Sequence, residues 1–228
     1  TTTNSDGSTT VTTCSVVAEE TQGPYPGDGS NTSNGSVANA LSLSGIVRSD
    51  IRTSVGSASG TASGVPVTLT IRLVNTNGNC ADLSGYAIYL WHCDAYGRYS
   101  MYSSGVTSEN YLRGVQATDS DGEVTFQTIY PGCYSGRMPH MHFEVYRSTT
   151  TATSYTDKLR TSQLAFPNSV STTVYNGDSR YSASISNFNS ISFATDNIFS
   201  DGTSTEMTTV SGSLTDGYTA TIVIGIAV

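Results

Sequence analysis

Charge is what this 228-residue chain has least of: 12% of its side chains are Asp, Glu, Lys or Arg, against about a quarter in an ordinary soluble domain. Bases are the scarcer half. Ten Lys and Arg face 18 Asp and Glu, a formal net charge of −8, and Lys158 is the only lysine. Such a surface repels a phosphate backbone, which argues against nucleic acid as a partner. Long apolar runs are missing too: hydrophobic residues make up 36% of the chain but come in short stretches. None approaches the roughly 18 residues of a membrane-spanning helix, so no membrane partner is expected. There are 4 cysteines, Cys14, Cys80, Cys93 and Cys133, none spaced C-x-x-C. A structural zinc cage is therefore not expected, and disulfides or buried thiols are left. What the chain has in quantity is Gly (22), Tyr (14), Ser and Thr, a composition of strands and turns rather than helices.

The expected fold is all-β, a two-sheet β-sandwich with long loops and little helix. Residues 1–13 carry almost no apolar content and read as a flexible N-terminal arm, with a single domain over 14–228. Proline and glycine at 23–27 predict an extended segment, and 28–39 a polar surface loop. Period-two alternation predicts strands at Leu41–Gly45, Val67–Leu73 and Val124–Thr128, and the apolar run Tyr86–Trp91 a strand covered on both faces. A short helix or turn is expected over Asp157–Leu164, then strands near Ser169–Tyr175, Glu206–Ser211 and Tyr218–Ile226. Few lysines, an even cysteine count and a Ser/Thr-rich start predict a secreted or periplasmic location. Thr1 and the lack of a signal peptide fit a mature or trimmed form.

Two of the three histidines, His140 and His142, alternate on a predicted strand with Met141, Phe143 and Val145 facing the other way. Alternate side chains share a face, so both imidazoles can reach one metal ion. Two ordinary histidines would give the same spacing. Just upstream lies a loop rich in turn residues, IYPGCYSGRMP over 129–139, that can hold Tyr134 and Arg137 over the sheet.

Several separated motifs, TQGPY (21–25), LWHCDAYGRY (90–99), YLRGVQATDSDG (111–122), TIYPGCY (128–134) and RMPHMHF (137–143), occur in an order that resembles the intradiol ring-cleavage dioxygenases. That family includes catechol 1,2-dioxygenases and protocatechuate 3,4-dioxygenases. The similarity spans most of 21–165, and ATDNIFSDG (194–202) is similar to secreted-type members. The resemblance implies a non-haem Fe(III) centre held by Tyr99, Tyr134, His140 and His142, and cleavage of catechols between their hydroxyls with O2 to cis,cis-muconate-type diacids. Donor chemistry agrees: two phenolates, two neutral imidazoles and a hydroxide balance a trivalent ion, and hard oxygen donors suit a hard ferric centre. Tyrosine ionises near pH 10 when free, so only a strong Lewis acid keeps two of them ionised at neutral pH.

By the same resemblance, Arg137 faces charge that develops on the substrate, Gln163 pairs with it, and Tyr25 lines the entrance; Tyr134 is the axial ligand that a substrate displaces. His92 is expected to make a structural hydrogen bond. Cys93 and Cys133 flank the tyrosine ligands, which suggests a bond between them and leaves Cys14 with Cys80, though four cysteines allow three connectivities. The N-terminal helices of the cytosolic members are not seen, which implies a stand-alone monomer or small homo-oligomer with an open pocket, wide enough for lignin-derived or polyphenolic catechols. Two other readings compete: a small-ligand carrier on a similar sandwich, and a zinc or copper enzyme if Tyr99 and Tyr134 lie far from His140.

Overall fold

The computed structural model describes residues 2–3, 9–10 and 14–228. Apart from those four N-terminal residues, the expected arm over 1–13 lies outside the described residues. In chain order the strands are β1 (Asp28–Ser33), β2 (Ser36–Asn39), β3 (Pro66–Asn75), β4 (Ala81–Asp82), β5 (Ala87–Trp91) and β6 (Arg113–Ala117). Then come β7 (Glu123–Ile129), β8 (His140–Tyr146), β9 (Lys158–Ala165), helices α1 (Asn168–Gly177) and α2 (Ser182–Asn189), β10 (Thr209–Ser213) and β11 (Gly217–Ile226).

Two sheets carry the fold. One has the order β9-β8-β5-β6 and is antiparallel throughout. The other runs β10-β11-β3, with β4 and β7 sharing the far edge of β3; only β11 and β3 are parallel within it. Val67, Leu69, Ile71 and Leu73 of β3 are buried while Thr68, Thr70 and Arg72 face outward, the alternation of a strand with one face on the core. They pack with Phe126, Ile224, Ile88, Leu90, Met141, Phe143 and Val145 in the core between the sheets. The all-β expectation holds, with only two short helices added.

The first sheet is covered on its outer face as well. Ala87, Tyr89, Trp91, Val115 and Tyr146 form a second cluster there with Tyr99, Ala40, Leu41 and Ile46, and Tyr25 packs against it. Two buried faces explain why β5 reads as a continuous apolar run. They also leave β8 with polar groups, His140, His142 and Glu144, on a face that is itself closed off from water.

Four local expectations are corrected. Residues 28–39 form the β1–β2 hairpin, which turns at Asn34 and Gly35 with φ of 50° and 79°. Residues 40–42 form a 3-10 turn instead of a strand, capped by the Asn39 side chain accepting from the Leu41 amide at 3.0 Å. Residues 158–165 are strand β9, paired along β8 with Gln163 opposite His142. Polar side chains on both faces hide its period. Residues 169–175 are helical despite their β-branched content, because Val170 with Val174 and Ser171 with Tyr175 form an i, i+4 stripe against the core. The hydroxyls of Thr172 and Thr173 donate back to the carbonyls of Asn168 and Ser169.

Of the two expected cysteine pairings one is found and one is not. Cys14 and Cys80 form a disulfide, while Cys93 and Cys133 are free and buried. Each free thiol is turned to a carbonyl: Cys93 donates to Gly132 at 3.4 Å and Cys133 to Arg137 at 3.3 Å. The Cys93 contact thus joins the two loops without a covalent bond, while the Cys133 contact lies within its own loop.

Candidate active site

Strand β8 presents His140 and His142 on one face, their Nε2 atoms 3.1 Å apart. Tyr99 arrives from the loop after β5 and Tyr134 from the loop before β8. Their hydroxyls lie 3.4 Å and 3.1 Å from His140 Nε2, and 3.5 Å from each other. Four polar atoms from three chain segments therefore meet at one point.

Their contacts crowd a single lone pair. His140 Nδ1 lies 2.6 Å from the Met138 carbonyl, to which it can only donate, so its Nε2 carries a lone pair. That single lone pair faces two hydroxyls and a second imidazole. One donor could satisfy it; a metal ion would use all four groups at once. Among the described residues no three His, Cys, Asp or Glu form a metal-binding group, so the donor set depends on the tyrosines.

Burial controls protonation here. It pushes the His140 imidazole down to about 3, aided by the Arg137 charge, and holds His142 well below the ordinary range. Both rings are neutral at pH 7, the state that ligates metals. Burial raises Tyr134 to about 12 and holds Tyr99 well above its usual value. Without a cation both phenols keep their protons, so their ionisation needs a strong Lewis acid at the point they share.

Each group is held by its neighbours. His142 stacks on Trp91 with ring centroids 4.9 Å apart and planes within 5°, and Trp91 stacks in turn on Tyr89. The Thr21 carbonyl faces His142 but receives its bond from Gln163 Nε2 at 2.9 Å, and His142 Nδ1 has no well-formed partner. Ring stacking therefore does most of the orienting. Gly23, with φ of +68°, closes the other side, where a Cβ would lie 3.3 Å from His142 Cε1. The Tyr99 loop is braced by Asp94, which accepts from the Tyr96 and Arg98 amides at 2.9 Å and from the Tyr111 hydroxyl at 3.0 Å.

Arg137 and Gln163 come together, as their expected pairing requires: Arg137 Nη2 donates to Gln163 Oε1 at 2.6 Å. Gln163 is fully buried and sits behind the arginine. Tyr25 lines a cavity of about 620 Å³ together with Tyr134 and Arg137, and its ring packs 4.9 Å from that of Tyr99. His92 pairs with Thr128 Oγ1 at 2.7 Å and the Cys93 carbonyl at 2.8 Å, so both its nitrogens are spent on structure.

Two residues were not singled out from the sequence. Asp196 accepts from Arg137 Nε at 3.0 and 3.2 Å and from the Met138 amide at 2.6 Å, which anchors the arginine and the entry to β8. Its signal was ATDNIF, an Asx-type turn far along the chain. Arg113, 1% exposed, donates to the Ser100 carbonyl at 3.0 Å and to those of Tyr25 and Pro26 at 2.9 and 2.7 Å. It joins the Tyr99 loop to the segment bearing Tyr25. A buried arginine with only neutral acceptors leaves no pattern in sequence.

A comparison with curated proteins finds no match. A family model described as Dioxygenase matches residues 47–169, a span that includes Tyr99, Tyr134, Arg137, His140, His142 and Gln163. Among solved structures, an intradiol ring-cleavage dioxygenase from Tetranychus urticae superposes with a TM-score of 0.70 at 23% identity, covering 94% of this chain and 95% of that one. The dioxygenase domain of a dioxygenase carbohydrate-binding protein fusion from Streptomyces sp. SirexAA-E gives 0.56 at 23% identity, covering 94% and 99%. A 3-chlorocatechol 1,2-dioxygenase from Rhodococcus opacus 1CP gives 0.55 at 16% identity, covering 92% and 71%. At these identities the superpositions speak for the fold, while the family model covers more than half of the 228 residues. The chain belongs to the intradiol ring-cleavage dioxygenases and is an oxidoreductase.

Proposed function

We propose that this enzyme opens the ring of catechols between the two hydroxyls, adding both atoms of O2 to give cis,cis-muconate-type diacids, with non-haem Fe(III) as cofactor. One observation carries the proposal: the phenol oxygens of Tyr99 and Tyr134 and the Nε2 atoms of His140 and His142 converge within 3.1–3.5 Å neighbour distances, three of them crowding the single lone pair of His140 Nε2. Two phenols and two neutral imidazoles fit a ferric ion by charge and by hardness. When bound, the ion would polarise a chelated catechol and make its ring carbon reactive toward O2.

The protein's own groups supply the rest. Tyr134 borders the cavity, and as a phenolate it is positioned to take a proton from an entering catechol hydroxyl. Arg137, fixed on two sides by Asp196 and Gln163, presents a cation to charge that builds on the substrate oxygens, at no reorganisation cost when it does so. Tyr25 lines the same cavity and offers its ring as an apolar wall to the substrate. The disulfide supports a secreted or periplasmic location, and a monomer or small homo-oligomer is proposed as the working form.

Purified protein reconstituted with Fe(III) should be red to brown through tyrosinate charge transfer, and should consume one O2 per catechol with a muconate product by mass. A colourless iron-loaded protein, a spectrum unchanged in Tyr134→Phe, or a yellow semialdehyde product would each overturn the proposal.

A further inference from the structure

Building on that ring-cleavage assignment, we infer that the site selects catechols whose ring substituents are uncharged and rejects catechol carboxylates. The cavity measures about 620 Å³, within the range that accommodates drug-sized ligands and well beyond one aromatic ring, so it has room for a ring substituent beside the ring. The side chains it would meet, Thr21, Tyr25, Ser103, Ser135, Asn197 and Ile198, carry no charge. Among the described residues, Arg137 is the one charged group on the wall.

That arginine is already charge-paired, and the Nη1 it has left is the donor for the oxygens at the reacting centre rather than for a ring substituent. Asp196, itself fully buried, takes its Nε, and Gln163 takes its Nη2. Two further acids, Glu20 and Asp201, interact with each other beside the same guanidinium. Arg98, next to the cavity-lining Gly97, is bound to Asp94 at 2.8 Å. A carboxylate on the substrate would therefore shed water into a neutral wall, beside acids that outnumber the bases. A charge buried without a partner is strongly penalised, whereas hydroxyl, ether and ester groups find Ser, Thr and Asn side chains to bond.

The test compares two substrates of nearly equal size, 3,4-dihydroxybenzoate and its methyl ester, with catechol as reference, by oxygen uptake on the iron-replete enzyme at pH 7. The ester withdraws more electron density from the ring than the carboxylate does, so ring electronics alone would favour the acid. The expected result is a kcat/KM for the ester at least roughly 30-fold above that of the acid. In Asn197→Lys, which adds a cation to the cavity rim, the ratio should narrow by about tenfold or more, from one new charge pair. Equal use of ester and acid, or a ratio unmoved in Asn197→Lys, would overturn the inference. Failure to cleave even catechol would instead sink the ring-cleavage assignment. Charge selection would then be read by competition: quenching of Trp91 emission should saturate with the ester at lower concentration than with the acid, and the reverse order would refute it.

Discussion

Replacing Asp196 by asparagine should cost the fold about 3–5 kcal/mol, the range for breaking a buried ion pair by removing one partner's charge. The side chain is 0% exposed and that of its partner Arg137 is 12% exposed, so solvent screens the pair little. Oδ2 accepts from Arg137 Nε and the Met138 amide, and Oδ1 from Arg137 Nε and the amides of Ile198 and Phe199 at 2.8 and 3.0 Å. Whichever oxygen becomes an NH2 group, at least two donors are left facing a donor, at about 1–3 kcal/mol each. Urea unfolding reads the loss directly: with a slope of about 2 kcal/mol per molar, the midpoint should fall by about 2 M with the slope unchanged. The pH dependence supplies a second check. Burial raises the Asp196 carboxyl, but the Met138, Phe199 and Ile198 amides and the Arg137 charge together hold it below the ordinary 3.8. A lowered acid contributes its full stability above the unfolded value and loses it as pH falls through the folded one, so wild type and variant should converge only below about pH 4. A deficit under about 1 kcal/mol at pH 7 would refute the anchoring role, since that is what an ordinary hydrogen bond contributes.

Trp91 is the only tryptophan and stacks on His142, so Fe(III) loading should quench most of its emission and chelation should restore it; emission indifferent to iron would place the metal elsewhere. Glu206 is buried with no well-formed hydrogen bond to either oxygen, and burial, with Glu20 and Asp201, pushes its carboxyl up to about 8 from 4.5. The folded chain then holds this proton where the unfolded chain has lost it, so stability should fall by up to about 1.4 kcal/mol per pH unit as pH rises across that window. Glu206→Gln should flatten the fall in thermal or urea melts; an unchanged slope would contradict it. Breaking the Cys14–Cys80 bond, which closes a separation of 66 residues, should lower stability by about 4 kcal/mol in the Cys14→Ser, Cys80→Ser double variant. A loss under about 1 kcal/mol would mean the unfolded chain is already constrained there.

Strands with one clean apolar face, β3, β7, β8 and β11, could be read from alternation because one set of side chains goes to the core and the other does not. Strand β9 could not, since Thr161 and Gln163 on one face and Ser162 on the other are all buried and polar. Helix α1 failed for the opposite reason: its threonines and valines favour strands locally, and packing of Val174 and Tyr175 on the core overrides that preference. The histidines, tyrosines, Arg137 and Gln163 were legible as residue types at motif spacing, and the fold brings them to one place. What supports them was not. Asp196 acts on Arg137 across 59 residues, and Arg113 acts on Tyr25 across 88, through contacts that only the folded chain creates.

The four groups at the centre are not held alike, and the difference follows from where each one lies. His140 and His142 stand on a central strand flanked by β5 and β9, and Tyr99 is locked by a loop whose amides end on Asp94; all three are 2% exposed or less. Tyr134 is half-buried, borders the cavity, and precedes Ser135 and Gly136, which are exposed, with Gly136 at a φ of +84°. A molecule entering the cavity meets Tyr134 before it meets the others. Moving Tyr99 would require opening a cluster that also holds Trp91 and Tyr89, whereas turning Tyr134 outward disturbs one short loop. In the proposed iron centre, rigid histidines and a rigid buried tyrosine would stay in place while the tyrosine on the yielding loop would be the group to exchange.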